Sequence, residues 1–204
     1  MRGLFPWFLA LALAARFATF SVEPFGAQRV NLETGVTTLP QGGVLIDNEN
    51  GLRLRGRFIE YKEGSFVRAR GVELLSKAET FLADSLEHDI PKQEARFQGL
   101  VFSNADFKNL RAQRALALFN EEVVVLKGGV RAEKPSLEAE TLLIDLQRRE
   151  ALALGRFVYK EEKVTLRGQR EEARLYLRFQ EGRVQASTRI PEAALRLLRY
   201  IGRL

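Results

Sequence analysis

The chain contains no cysteine and only one histidine, one methionine and one tryptophan among its 204 residues. Without cysteine there is no disulfide framework and no thiol or cysteine-zinc chemistry. The single histidine, His88, leaves no second one from which to build a Ser–His–Asp set or a histidine metal site. No glycine-rich phosphate loop is present either, since Gly128-Gly129 lies between two strand-like runs rather than before a helix. These absences argue against an enzyme and against a bound cofactor or metal.

The chain has fewer acidic than basic residues. Lysine and arginine number 32 against 26 aspartate and glutamate residues, which gives a formal net charge of +6. Such a balance favours an anionic partner, whether nucleic acid, anionic lipid or a phosphorylated glycolipid. It also does no more than keep many proteins soluble, so charge alone does not choose among these alternatives.

Residues 1–27 differ from the rest of the chain and are interpreted as a signal peptide or an N-terminal membrane anchor. Arg2 precedes an apolar run over residues 4–15, which Arg16 interrupts. The short run is typical of a signal peptide, whereas the whole of residues 4–22 would reach about 28 Å as a helix, enough to span a bilayer. Cleavage and retention both place the body of the protein in the periplasm or cell envelope, soluble or anchored to the inner membrane. Export excludes nucleic acid as the partner.

Residues 28–189 alternate apolar and polar side chains in short runs, as in Ala173–Phe179 and Lys163–Arg167. Because successive side chains on a strand point to opposite faces, each run predicts a strand with one buried face. Short polar breaks between the runs predict an antiparallel meander. Gly155–Glu161 also repeats Gly56–Glu63 with one residue inserted, which predicts a repeated unit that stacks on its neighbours.

Three motifs in succession carry a resemblance to a known family. They are a Leu-x-Gly-x-Val strand end (Leu126–Val130), a Leu-x-Ala-x-x-Leu-x-x-Asp run (Leu137–Asp145) and an Ala-x-Ala-x-Gly-x-x-x-Tyr run (Ala151–Tyr159). The pattern resembles the OstA-type repeat of the LptA/LptC family of bacterial lipopolysaccharide-transport proteins of the periplasm. It extends over residues 112–187 and more weakly over residues 30–110.

The resemblance implies an all-β fold, an OstA-like antiparallel β-jellyroll in which repeated hairpins form a V-shaped sheet pair. An N-terminal apolar helix and a short C-terminal amphipathic helix would complete the chain. It also implies a carrier or bridge that moves amphipathic, lipopolysaccharide-like lipid from the inner to the outer membrane, with acyl chains between the sheets. The implied partners are an anionic lipid or glycolipid, an inner-membrane ABC-type lipid exporter, and other OstA-like proteins joined through end strands.

Two alternatives stay open at this point. The chain can be the LptA-like bridge or the LptC-like anchored component. It can also be a structural or assembly scaffold of the cell envelope, with a core filled by its own side chains and no lipid ligand. The apolar parity of the strands identifies the candidate lining of a lipid groove. These residues are Leu52, Leu54, Phe58, Val123, Val125, Leu137, Leu143, Phe157, Val164, Leu166, Leu175, Leu177 and Phe179.

Residues 190–204 change to a helical period and predict a short basic amphipathic helix. Pro191 suits a first helical position, and Glu192 follows in the first turn. A cap over the open end of the sheet core is the first interpretation, with a membrane surface or a partner protein as the alternatives. The apolar side carries Leu197, Leu198, Ile201 and Leu204, and the basic side carries Arg196, Arg199 and Arg203.

The sole histidine lies in a segment of unclear period. Residues 76–89 fit a short helix or a strand, and residues 87–92 are a loop by composition, ended by Pro91. His88 is therefore expected on the surface of a polar loop, where its replacement by alanine would leave function unchanged.

Overall fold

The computed structural model describes residues 19–48, 52–75, 79–104, 106–162, 164–180 and 183–204. Within these ranges sixteen strands join one antiparallel sheet, and a 3-10 helix, Glu192–Arg203, follows them. The all-β prediction is therefore confirmed. The strands are β1 Phe20–Pro24, β2 Arg29–Val30, β3 Thr37–Leu39, β4 Gly43–Asp47, β5 Arg53–Gly56, β6 Phe58–Lys62, β7 Phe66–Leu74, β8 Thr80–Asp89, β9 Glu94–Ser103, β10 Leu110–Leu118, β11 Val123–Ala132, β12 Ser136–Asp145, β13 Glu150–Glu161, β14 Val164–Gly168, β15 Arg174–Gln180 and β16 Arg183–Ser187.

The long strands β7 to β13 form a meander in which each pairs with the next along the chain. Near its middle, each odd-numbered member carries a glycine in the left-handed region of backbone space, where other residues are strained. We call this line of glycines the seam; it comprises Gly71, Gly99, Gly128, Gly129 and Gly155, with φ between 59° and 83°. The strand register shifts at the seam on both sides of β11 and between β12 and β13. Extra residues of this kind bend a strand.

The outer long strands change partners at the seam. The first half of β7 pairs with β6 and its last residues pair with β5. The first half of β13 pairs with β15 and its second half with β14. The sheet therefore divides into a first layer, which includes β1, β4, β5 and β14, and a second layer, which includes β2, β3, β6, β15 and β16. The long strands run through both layers.

A ring contact shows that the two layers face each other. Phe81 lies in the first-layer half of β8 and Phe97 in the second-layer half of β9, and Phe97 pairs with Leu86. Five residues along a flat strand would separate the two rings by about 16 Å. Their centroids are instead 5.3 Å apart in an edge-to-face contact. The bend at the seam therefore folds the second layer onto the first, as the predicted V-shaped sheet pair requires.

The space between the layers, which we call the interior, holds the main hydrophobic cluster. Its members come from both layers, and the largest are almost fully buried, among them Phe81, Phe97, Phe102 and Leu54. Within β9 the buried positions are odd before Gly99 and even after it. The seam thus keeps the apolar side chains on the inside while the strand changes direction.

A second apolar cluster lies on the outer face of the second layer. The strand halves there are apolar on both faces, as in Leu116–Leu118 and Val123–Leu126. The C-terminal helix covers this face with Leu197 and Tyr200, which are 0% and 4% exposed. The expected cap over the open end of the core is therefore wrong. The helix packs across β12 and β13 because these strands present a second apolar surface that must leave water.

The expected domain boundary at residue 27 also needs correction, because β1 pairs with β4 and belongs to the sheet. Residues 4–18 of the proposed leader or anchor lie outside the described residues. The chain breaks at Arg57, between β5 and β6, and sends these two strands to different layers. Among the described residues, no helix is long and apolar enough to cross a membrane.

His88 is also placed differently from expectation. It is the ninth residue of strand β8 rather than part of a loop, and its side chain is 1% exposed. The period-two pattern of β8 switches parity between Ala83 and Leu86, so that the alternation is hidden in the sequence. The polar residues at the end of β8 also made this part of the strand resemble a loop in the sequence.

Candidate functional site: the interior and its mouth

The two layers are joined covalently along the seam, and the side opposite the seam is where the interior could open. We call that side the mouth. On the second layer it is formed by three turns that follow β8, β10 and β12, each ending in a residue with positive φ near 54°: Gln93, Glu122 and Arg149. These turns determine how the interior is closed.

The second-layer turns are linked to one another by backbone hydrogen bonds. The N–H of Ile90 donates to the carbonyl of Ser65 in the preceding turn, 2.9 Å away. Phe119 donates in the same way to Gln93, at 3.0 Å, and Leu146 to Glu122, at 2.9 Å. Each turn begins with an apolar residue that enters the interior cluster, and these residues are Ile90, Phe119 and Leu146. Apolar side chains therefore line the inner side of the mouth, and the polar groups of the turns form its rim.

One contact ties the first layer to the second across the mouth. The loop between β9 and β10, at the far end of the first layer, carries Asp106, whose carboxylate oxygens both lie 3.3 Å from Nη2 of Arg149. Burial raises the pKa of Asp106, and the Arg149 guanidinium opposes that rise. Beneath this ion pair, the ring centroids of Phe107 and Phe179 are 5.0 Å apart. We call these four residues the clasp.

The loop that carries Asp106 is held by its own turn. Oδ1 of Asn104 accepts hydrogen bonds from the backbone N–H groups of Asp106, at 3.0 Å, and Phe107, at 2.8 Å. This is the local bonding that makes asparagine frequent in turns. The loop therefore presents its carboxylate and its phenyl ring to the second layer as a preformed unit.

The sequence-predicted groove residues separate into groups. Six lie in the interior, fully buried, and Leu52 and Leu166 pack at its margin. Their contact with lipid stays a prediction. The six are Leu54, Leu137, Phe157, Leu175, Leu177 and Phe179.

The other five predicted residues do not line the interior. Val123, Val125 and Leu143 lie on the outer face of the second layer, under the C-terminal helix. The sequence runs that contain these three residues are apolar throughout, so the alternation does not reveal which side chains face inward. Val164 is 53% exposed, and Phe58 faces outward, with the Arg70 guanidinium 4.4 Å from its ring centroid.

Strands β14 and β15 follow each other in the chain but do not pair with each other. Each pairs with a different half of β13, one in the first layer and one in the second. Leu166 and Leu177 therefore belong to opposite walls of the interior. The polar break between the two strands spans the distance from one layer to the other.

The residues of the mouth were not identified from sequence, although a signal for them exists. An apolar residue follows the strand and is followed three positions later by the left-handed residue, as in Phe119 with Glu122 and Leu146 with Arg149. The same spacing recurs in Ile90 with Gln93. That repeat is shorter and more degenerate than the glycine motif, and only the structure shows that its apolar members point inward.

His88 is the polar side chain that the interior encloses next to the mouth. Both of its ring nitrogens are buried without a hydrogen-bond partner among the described residues. Its ring meets Phe119 edge-on, with centroids 5.7 Å apart. Burial lowers the pKa of His88 to about 4, against a smaller opposing effect of Asp89. The imidazole is therefore neutral at pH 7, with one N–H donor and one acceptor nitrogen.

The described part of the chain holds no group of three or more His, Asp or Glu side chains arranged for a metal ion. Its buried carboxylates have structural partners instead. Arg196 of the C-terminal helix donates from Nη2 to Asp145 and to Glu150, both at 2.5 Å. What the arrangement offers is an apolar space between two layers, with a polar rim at one side.

Comparison with known proteins adds one structural likeness. No family model matches the chain, and neither does any curated protein. Among solved structures, it is similar to LptH of Pseudomonas aeruginosa, described as the LptA-homologous periplasmic component of the lipopolysaccharide transport device. The identity is 13%, the TM-score is 0.30, and the match covers 87% of this chain and 99% of the other. The function therefore has to follow from the chain's own residues.

Proposed function

We propose that this protein is a lipid carrier or bridge component of the bacterial cell envelope that holds the acyl chains of an amphipathic anionic lipid between its two layers. The observation that carries the proposal is the asymmetry of the interior. Glycine-centred bends join the layers on one side, whereas the clasp and the turns close the other through contacts that can be broken and remade. A molecule built this way can part its layers at the mouth without unpairing its strands.

The energy available from an acyl chain is large enough for this. Burial of one methylene group contributes about 0.8 kcal/mol, so twelve methylenes contribute about 10 kcal/mol before other costs. A part-buried ion pair such as Asp106–Arg149 contributes about 1–3 kcal/mol. Where the layers part, the acyl chain takes the place of the apolar side chains that faced each other, so the interior stays free of water. Entry at the mouth is thus favourable for a lipid and not for a small polar ligand.

The surface supports an anionic headgroup. The net charge is +6, and strand β5 carries Arg55 on its exposed side, whereas its neighbour Arg53 is paired with Glu23 at 2.6 Å. The resemblance of the repeat to the OstA type supports a lipopolysaccharide-like lipid, moved from the inner to the outer membrane, as the proposed cargo. The proposed partners are an inner-membrane ABC-type exporter and other OstA-like proteins that pair through end strands.

The division of the chain belongs to the same proposal. A leader or anchor at the N-terminus would export the body of the protein to the periplasm, where it works without enzymatic activity. The sheet then forms the carrier body, and the C-terminal helix seals its second apolar face.

One structural observation favours a second candidate function. The interior side chains that bridge the layers, such as Phe81 and Phe97, are 0–1% exposed. A core filled this well is what a structural scaffold of the envelope requires, with no lipid in it. The two candidates differ in whether the layers part.

The experiment that separates them places a photoreactive amino acid at Leu177, inside the interior, and in a control variant at the exposed Val164. Irradiation of intact cells followed by mass spectrometry is expected to give a glycolipid adduct at Leu177 and none at Val164. Absence of any adduct from folded protein at Leu177, together with lipid-free protein after gentle purification, would establish the scaffold instead.

A further inference from the structure

Among the described residues of the interior cluster, His88 is a polar side chain that its apolar surroundings do not explain. His88 lies between Leu86 and Ile90 on the inward face of β8 and its turn, opposite Val67 on β7 and Ala95 on β9. Neither ring nitrogen has a hydrogen-bond partner among the described residues. An unsatisfied buried donor or acceptor destabilises the folded protein, and leucine or phenylalanine would fill the same space without that penalty.

The position of His88 along the strand matters as much as its chemistry. It is the penultimate residue of β8, so it lies one residue inside the mouth. The next residue, Asp89, is at the rim, where it pairs with Lys92 at 2.6 Å. A chain that entered through the mouth with its headgroup outside would therefore pass His88 with the part nearest to its head.

We propose that His88 forms a hydrogen bond with a hydroxyl group near the head of an acyl chain held between the layers. This inference rests on the proposed lipid-carrier function and specifies its ligand class as hydroxylated acyl chains. A hydroxyl group both donates and accepts, so it matches whichever nitrogen of the neutral imidazole faces it. A hydroxyl group is also small enough to reach the His88 imidazole, which is 1% exposed. An unmodified hydrocarbon chain would leave both nitrogens unsatisfied.

The test compares two ligands that differ only in that group. The full chain is titrated at pH 7.5 with tetradecanoic acid and with 3-hydroxytetradecanoic acid, and the dissociation constants are measured by calorimetry. One hydrogen bond made in the interior corresponds to a preference of about 5- to 10-fold for the hydroxylated acid. His88→Phe keeps an aromatic ring against Phe119 and removes both nitrogens. It is expected to abolish the preference while tetradecanoic acid binds at least as tightly as before.

Two further variants separate hydrogen bonding from packing. His88→Gln restores a donor and an acceptor and is expected to retain part of the preference. Phe119→Leu removes the ring contact and leaves the imidazole, so the preference should persist. If His88→Phe does not fold, His88→Leu replaces it in the same comparison.

The outcomes are distinct for the two proposals. Equal affinity of the wild type for the two acids, or a preference that survives in His88→Phe, would overturn the role of His88 and leave the carrier function standing. No binding of either acid to the folded wild type would overturn the carrier function itself.

Discussion

Asp106 and Arg149 join the two layers of the sheet at the side where nothing covalent joins them. The carboxylate is 6% exposed and lies 3.3 Å from the guanidinium. The two residues are 43 positions apart in sequence and belong to loops at the far ends of different layers. Because the seam hinges the opposite side, this pair and the Phe107–Phe179 contact beneath it are where the layers would separate first.

Fixing the clasp should therefore block lipid exchange if the mouth is the entry route. The chain has no cysteine of its own, so a cysteine pair at positions 106 and 149 can be joined selectively with a short cleavable crosslinker. We expect crosslinked protein to take up and release lipid far more slowly, with recovery after cleavage. The readout is transfer of a fluorescent fatty acid between vesicles and protein. Unchanged exchange in fully crosslinked protein would place the entry route elsewhere, and the single-cysteine variants treated with the same reagent serve as controls.

Stability should depend on pH through His88. Its pKa in the folded protein is about 4, whereas an unfolded histidine titrates near 6.5. Between these values the unfolded state binds the additional proton, so the free energy of unfolding falls as pH is lowered from about 6.5 to 4. The loss from this group is up to about 3 kcal/mol. Urea denaturation of the wild type and His88→Phe over this range checks the prediction, because the variant should lack that part of the slope. Parallel slopes would contradict it.

The seam should not tolerate a side chain. A Cβ at Gly99 would lie 2.0 Å from Oδ2 of Asp84, whereas at Gly64 it would meet nothing within 4 Å. Both glycines have nearly the same φ, 62° and 65°, so the backbone cost of alanine is similar at the two positions, about 1–2 kcal/mol. Gly99→Ala should lower the free energy of unfolding by about 1–2 kcal/mol more than Gly64→Ala, because the Asp84 side chain must move out of the way. Equal losses in urea denaturation would mean that the bend can accommodate a methyl group.

The C-terminal helix should stabilise the fold through its buried side. Leu197 is 0% exposed and Ile201 on the same helix is 36% exposed. Leu197→Ala should cost about 2–5 kcal/mol by leaving a cavity against β12 and β13, and Ile201→Ala less than about 1 kcal/mol. Thermal denaturation of the two variants measures the difference. Similar small losses would indicate that the helix is weakly attached and that its face is available to another surface.

Much of the fold was predictable because its signals are local. Period-two alternation identified strands such as β14 and β15, and short polar breaks indicated antiparallel pairing. The repeated glycine motif marked Gly128 and Gly155, which proved to be bends. Prediction failed where the alternation of apolar and polar residues was interrupted, and where both faces of a strand were apolar. In β8 the parity switch concealed a strand and misplaced His88, and around Val125 both faces are apolar, so the inward parity was not readable.

By itself, the sequence determined the all-β class, the positions of most strands and the amphipathic character of the C-terminal segment, because each depends on neighbouring residues and on periodicity. Only the tertiary structure decided which apolar residues face each other across the interior, where the C-terminal helix packs, and that Asp106 meets Arg149. Those relationships depend on bends of a few residues at the seam. A shift of one residue there moves a whole strand half to the other face, and no local pattern records how the two layers then fold together.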